Sequence, residues 1–421
     1  MTISDAATNI EIMAPAGSYA SLAAALQAGA GSVYFGVGKL NMRSRSSNNF
    51  SLDDLKNIAA LCSDQGVKTY LTLNTIIYDE EMEEMRRAVE CAKVSGISAV
   101  IASDISVMEY ARQVGLEVHI STQCNITNLA AVRFYSRFAD VVVTARELSL
   151  EQVRSIAEGI KREGIKGPSG NLVALEIFVH GAFCMAVSGK CYLSLDHMNY
   201  SANRGACLQL CRRSYMVTDK EEGFEIELDN EYMMSPRDLC TIGFIDKILD
   251  AGVRVLKIEG RGRSADYVKT VVGCYQEAVQ SVSDGTYTQE KIDAWTKRLA
   301  KVFNRGFWDG YYLGRTMGEW SGRYGSQATH RKHYAGKVTN YFSRLQVAEI
   351  KLESSGISKG EQLMIIGPTT GALEFDLKGV RLDDRETDSA NKGDVCSIPV
   401  PVLVRRGDKL FKVLEAGAGA T

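Results

Sequence analysis

The sequence predicts an α/β fold, a TIM-like (β/α)8 barrel with a Cys-rich insertion after strand seven, followed by a small C-terminal all-β barrel domain. Three observations predict it. From residue 11 to about 280, short β-branched runs alternate with segments of helical period. Eight such units in about 270 residues match the count and length of a barrel. No G-x-G-x-x-G follows the first run, where Ala16 and Gly17 lead straight into SYASLAAAL, so a doubly wound dinucleotide-type sheet is the weaker reading.

In order, the candidate strands are EIMAPAG from Glu11, SVYFGVG from Ser32, KTYLTLN from Lys68, AVIASD from Ala99, EVHISTQ from Glu117, DVVVTAR from Asp140, LVALEIFVHG from Leu172 and VRVLKIEG from Val253. Between them lie amphipathic stretches such as SLDDLKNIAALCSDQG and SLEQVRSIAEGIKREG, which open on a Ser cap and close on Gly. The spacing breaks once, over roughly 55 residues between the seventh strand and a helix expected near Asp238. A loop that long inside a compact domain is usually functional, and in a barrel it leaves the C-terminal mouth, where chemistry is placed. After QEKIDAWTKRLAKVF and the aromatic, Gly-rich NRGFWDGYYLG, the pattern changes near His330 to short alternating strands with Gly and Pro turns. The expected division is therefore a barrel over 1–328, with its insertion at 182–240, and a β domain over 329–421 whose tail EAGAGAT frays.

The 421 residues carry 49 basic and 51 acidic side chains, a net charge of −2. Such a chain lacks the overall basic field of a protein that grips a long nucleic-acid backbone, although a local patch suffices for one RNA loop. No apolar run reaches the roughly 18–20 residues of a membrane helix, and MTISDAATNIEIMAPAG lacks a secretory pattern, so a cytoplasmic protein without membrane contact is expected. In a reducing compartment the ten cysteines are buried hydrophobes, metal or cluster ligands, or reactive thiols.

Their spacing separates two groups. Cysteines 62, 91, 124, 274 and 396 sit singly in helical or strand patterns and read as core. Cys184, Cys191, Cys207 and Cys211 run C-x6-C-x15-C-x3-C, with 28 residues more to Cys240. Four thiolates brought together hold an iron–sulfur cluster or a tetrahedral zinc. Zinc sites favour tight C-x2-4-C pairs, which only Cys207 and Cys211 approach, while the wide spacing and the glycines before Cys191 and Cys207 suit a bulkier cluster.

The stretch Glu176 to Ser194 matches E-x-F-x2-G-(S/A)-aliphatic-C-x4-G-x-C-x-aliphatic-S, with Phe183 as its single departure. Together with MAPAGSYASLAAAL, NMRSRSSNNF, STQCNITN, NRGACLQLCRRSY, SPRDLC and LKIEGRGRS, it resembles the peptidase U32 family over nearly the whole chain. The family was named for collagenase-like peptidases. Several members are instead oxygen-independent hydroxylases with a 4Fe-4S cluster on four cysteines. One branch acts on the tRNA wobble uridine, another on an rRNA cytidine, and a third in quinone synthesis; prephenate is implicated in the RNA branches. With its single barrel plus small β domain and its VHGAFCMAVSGKC motif, the sequence looks most like the tRNA uridine branch. The resemblance implies Cys184, Cys191, Cys207 and Cys240 as ligands, with Cys211 a fifth thiol for four places. It further implies a tRNA anticodon loop as partner, a small-molecule hydroxyl donor such as prephenate, and an electron partner. For the peptidase alternative, no H-E-x-x-H occurs, but His180 lies four residues before Cys184.

Polar residues at strand ends face a barrel's mouth. Arg43 and Arg45, near Asn41 and Asn49, read as a phosphate or carboxylate grip or as a solvated loop. Asn74, Gln123, Arg146 and Glu147 end the third, fifth and sixth strands. Glu176 and His180 stand at like parity on the seventh strand, so they are expected on one face as an acid/base pair, or as a satisfied core pair. Lys257 and Glu259 alternate in the same way on the eighth, as an ion pair or as pocket groups, with Arg261 and Arg263 beyond. Arg204, Arg212 and Arg213, interleaved with Tyr192, Tyr200 and Tyr215, form an expected basic, aromatic rim for single-stranded RNA. Lys337, Arg405, Arg406 and Lys409 give the last domain a possible grip on an RNA stem.

Overall fold

A computed structural model describes residues 10–45, 49–213, 216–218, 220–221, 223, 225–227, 235–314, 320–321, 325–383 and 385–416. Seven parallel strands, β1 (Glu11–Pro15), β2 (Ser32–Gly36), β3 (Lys68–Leu73), β4 (Ala99–Ala102), β5 (Glu117–Ile120), β6 (Val141–Val143) and β7 (Ala174–Gly181), pair in chain order. After a short hairpin of β8 (Met216–Thr218) and β9 (Glu225–Glu227) comes β10 (Asp238–Cys240), and then β11 (Val255–Ile258), the eighth barrel strand. β11 pairs in parallel with both β7 and β1, which closes the barrel. Each of the eight barrel strands, β1 to β7 and β11, coincides with one of the eight runs in the sequence.

The helices between strands follow their caps. In helix Leu150–Glu163, Ser149 and Gln152 form a capping box, Lys161 and Arg162 sit in the last turn, and Gly164 takes the left-handed conformation at φ 61°. Its buried Val153, Ile156, Ala157 and Ile160 face the strands. Among the described residues no helix is long and apolar enough to cross a membrane.

Two local features depart from expectation. Asp238–Cys240 is a strand, not the start of a helix, which comes only at Ile245–Asp250. β7 outruns β6, which pairs only with Ala174, Leu175 and Glu176, and the antiparallel β10 bonds the overhanging edge at His180 and Gly181. β12 (Phe307–Trp308) then extends this flap beside β10. In addition, the β7–β11 register slips: Phe178 faces Lys257, but His180 faces Ile258, so Val179 is an inserted residue. A one-residue slip sends a side chain to the other face. His180 therefore leaves the lumen and lies among Tyr267, Tyr275 and Phe307, while Glu176 stays inside.

The lumen is filled by Met13, Tyr34, Tyr70, Ala99, Ile101, Val141 and Val255. Amid them runs a buried polar chain. Lys257 Nζ meets Glu176 Oε1 at 2.6 Å; Glu176 Oε2 lies 3.8 Å from His119 Nδ1, and His119 Nε2 lies 3.4 Å from Glu117. Burial opposes charge on His119, but Glu117 and Glu176 outweigh it and raise its pKa. Burial likewise opposes ionisation of Glu176, yet Lys257 and His119 hold it below the usual range.

Residues 330–416 form an eight-stranded antiparallel sheet around a separate core that includes Ala335, Val338, Ile350, Leu363, Ile365 and Leu410. This sheet docks on the barrel through Gln27 to the Thr370 carbonyl at 2.9 Å and Lys269 to the Ala372 carbonyl at 2.7 Å.

Removing one partner of the luminal ion pair strands the other. Lys257→Met should cost about 3–5 kcal/mol, and Lys257→Met with Glu176→Leu should regain most of it; urea unfolding of both variants checks this, and equal losses would refute it. His119 contributes stability that is complete below its ordinary pKa of 6.5 and is lost as pH rises through its raised folded value. Thermal melts of His119→Gln should lack that part of the alkaline decline.

Candidate active site at the barrel mouth

The mouth is organised by residues just beyond β2 and β11. Asn41 is fully buried: its Nδ2 donates to the carbonyls of Val37 and Gly38, and its Oδ1 accepts from Arg261 Nη1 at 3.0 Å and from the Arg43 amide at 3.1 Å. Arg261 Nη1 also reaches Thr72 Oγ1 at 2.8 Å. A Cβ on Gly36 would stand 2.7 Å from both Arg261 and Asn41, so only glycine lets the guanidinium pass. Arg43 in turn pairs with Glu259 at 2.8 Å, and Tyr34 donates to the other Glu259 oxygen at 3.2 Å. Burial pushes Glu259 up, but Arg43, Arg146 and Arg261 together pull it down to about 2. It is thus a fixed anion at neutral pH.

Cys184, Cys207 and Cys211 share a cavity of about 150 Å³ with Arg43, Arg146, Arg263 and Glu259. Burial pushes the Cys211 thiol up to about 11; Arg212 opposes this, while the nearby Cys184, Cys207 and Cys191 add to it. Cys184, Cys191 and Cys207 are therefore near neighbours of Cys211. Among the described residues no three Cys, His, Asp or Glu groups stand close enough to clasp a single ion.

Cys240 is placed elsewhere. Strand pairing sets it beside His180, under helix Ala265–Ser283 and against Tyr275, and burial pushes its thiol up to about 12. Cys211, not Cys240, stands with the other three, because β10 is drawn into the sheet while the Leu210–Arg212 turn faces the cavity. His180 is also inert: burial drives it down to about 3, helped by Arg263. The acid/base pair expected of Glu176 and His180 is not assembled, since the bulge puts them on opposite faces. Lys257 and Glu259 do not pair with each other either; Lys257 is spent on Glu176 below the mouth.

The insertion is held down by its own arginines. Arg204 clasps both Glu81 oxygens, reaches the Ile76 carbonyl at 2.9 Å and lies 3.7 Å over the Tyr78 ring. Arg212 bonds Ser235 Oγ at 2.7 Å and the carbonyls of Pro236 and Phe183. Both act as straps, not as the open rim expected of them. Asn74 braces the Met42 amide, Gln123 accepts from Ser121 Oγ, and Asn125 reaches the Ser188 carbonyl. Asn49 bonds the Ser44 carbonyl, and Ser44 Oγ bonds the Gly205 carbonyl. Arg213 and Tyr192 are exposed, Arg45 covers Tyr200 at 4.4 Å, and Tyr215 lies outside the described residues. Lys337, in the second domain, is paired with Glu353.

Arg146 stands out. It lies 4.0 Å over the Phe178 ring, lines the thiol cavity, and its buried Nε has no hydrogen-bond partner among the described residues. A half-buried guanidinium with an unspent donor is suited to a carboxylate or phosphate. Arg305 also lines the cavity; its only signal in the sequence is its place in NRGFWDGYYLG, a segment conspicuous for glycine and aromatic content rather than for charge.

The profile described as peptidase family U32 matches residues 17–322. A protein named collagenase from Porphyromonas gingivalis (strain ATCC BAA-308 / W83) is 57% identical over 96% of this chain and 98% of its own. The tRNA hydroxylation protein P1 of Bacillus subtilis (strain 168) is 30% identical over 95% of this chain and 92% of its own. A 23S rRNA 5-hydroxycytidine synthase of Escherichia coli (strain K12) is 31% identical over 76% of this chain and 47% of its own.

The placement of the thiols is open to chemical mapping. In the metal-free chain at mildly alkaline pH, iodoacetamide should label the exposed Cys184 first, and Cys240 only after unfolding. Peptide mass spectrometry reads the order, and early labelling of Cys240 would contradict the fold described above.

Proposed function

Taking as premise that the chain belongs to the peptidase U32 family, we propose that it is an RNA-modifying hydroxylase that converts a tRNA wobble uridine to 5-hydroxyuridine without O2. The observation that carries this reading is the gathering of three thiols, Cys184, Cys207 and Cys211, in an arginine-lined cavity at a barrel mouth, with Cys191 near Cys211. It is supported by the RNA-hydroxylation names of relatives that align along most of this chain.

Cys184, Cys191, Cys207 and Cys211 would hold a 4Fe-4S cluster. The donor set suits it: thiolates are the ligands of such clusters, and flanking arginines offset the negative charge that four thiolates bring. When bound, the cluster supplies one-electron chemistry. The chain's own residues do the rest. Arg146 binds an anionic co-substrate, a role that fits the carboxylates of prephenate. Glu259, ionised between Arg43 and Arg261, keeps those guanidiniums in place and does not itself exchange protons near neutral pH. Exposed Tyr192 offers a stacking face for a base leaving the anticodon loop.

A second reading, peptide hydrolysis, is favoured by the name of the 57% identical relative. The geometry speaks against a thiol peptidase built on the insertion. The Cys/His juxtaposition that the fold creates, Cys240 with His180, combines a thiol raised to about 12 with an imidazole lowered to about 3, the reverse of an activated pair.

Anaerobically purified protein should be brown; Cys211→Ser should lose its iron, while Cys240→Ser keeps it. Iron analysis and visible absorption read this, and the opposite pattern would reinstate Cys240 as a ligand. Expressed in a bacterium deleted for its own tRNA-hydroxylating relative, the chain should restore 5-hydroxyuridine derivatives in nucleoside mass spectrometry. Arg146→Met should abolish that while leaving iron content intact. Unrestored nucleosides together with collagen cleavage by the iron-free chain would overturn the hydroxylase in favour of the peptidase.

A further inference from the structure

A second cavity, of about 950 Å³, opens where the two domains meet. One wall is helix Ala265–Ser283 and the end of helix Gln289–Lys301; the other is the start of the strand His330–Phe342, with Leu373 and Glu374. Its charge is one-sided. Lys269, Arg298, Lys301, Arg331 and Lys332 line it against Asp266 and Glu374. Several of these cations are engaged: Lys332 with Asp266, Arg298 with Glu277, and Lys269 with a carbonyl. Lys301 and Arg331, from opposite walls, are exposed, and neither has an ion-pair partner among the described residues.

This groove adjoins the thiol cavity across one ring. Phe303 lines the groove; Arg263 and Arg305, which line the thiol cavity, lie over that ring at 3.5 and 5.1 Å. Cations therefore continue from Lys301 and Arg331, past Phe303, to the mouth. Resting on the hydroxylase reading above, we propose that the interdomain groove is the track for the RNA backbone flanking the modified nucleotide, with Lys301 and Arg331 contacting phosphates from either side. A polyanion with regularly spaced charges fits two facing, unspent cations on a grooved path leading to a pocket; a near-neutral peptide would leave both unmatched. The placement is compatible with the chain's slight negative net charge, since a local basic patch suffices for short-range phosphate contacts.

The test is binding of a fluorescent tRNA anticodon stem-loop to the full-length chain, with salt titration. Lys301→Glu with Arg331→Glu should weaken binding by about tenfold or more near 0.1 M salt and reduce the log–log salt slope by about 2. Arg87→Glu with Lys166→Glu, the same change in charge on exposed residues that line neither cavity, should alter the slope far less. Unchanged melting temperature and iron content verify that both variants are folded. If the wild-type chain binds this RNA and the groove variant matches the control, the groove assignment is overturned while the RNA reading stands. If the wild-type chain binds a collagen peptide and no RNA, both are overturned.

Discussion

The contact between Arg43 and Glu259 underlies everything above the barrel. It ties the segment after β2 to the end of β11, the strands on either side of β1, and so fixes the rim at the point where the barrel closes. With Arg261 on Asn41, it sets the turn from Asn41 to Arg45. The insertion rests on that turn: a Cβ on Gly205 would stand 2.4 Å from the Asn41 carbonyl and from Ser44 Oγ. Two residues further on is Cys207. The position of a thiol is thus set by an ion pair in the barrel wall, and a half-buried charge pair of this sort gives geometry more than net stability.

The fold was legible because barrel strands announce themselves locally. Val33, Phe35, Val100, Val142 and Ile177 sit in compact β-branched or aromatic runs whose parity needs no partner to be read. What the sequence concealed was non-local. The extra residue at Val179 becomes visible only against β11, yet it decides on which side His180 lies. Cys240 has a motif-like spacing to the other thiols, but its fate is set by the unpaired edge of β7, which no spacing reveals. Arg204 and Arg212 looked like rim cations because their acceptors, Glu81 and the Phe183 carbonyl, lie far away or in the main chain. Arg146 is legible in the sequence as a residue just beyond the sixth strand, but its unspent Nε is visible only from its surroundings.

The lumen is an unusual interior for such a barrel, where layers of branched aliphatics are the rule. Glu176, Lys257 and His119 replace them, and each compensates another's charge. An apolar lumen of equal volume would cost less to desolvate. What the ionic version adds is directionality: each group accepts only neighbours of opposite charge or matching hydrogen-bonding role, so register between β5, β7 and β11 is specified by chemistry as well as by shape.

The parallel pairing of β11 with β1 carries a kinetic consequence. The first strand to leave the ribosome must wait for the eighth before its outer edge is satisfied, and the whole insertion has to be looped out before that happens. Contacts of such long sequence separation form slowly. The four thiols, scattered over the insertion and seated on a rim that does not exist until closure, become a set only at the end of folding. On the reading proposed above, loading of the cluster would therefore be a maturation step on an already closed barrel, and until then Cys184 would stay exposed to its surroundings.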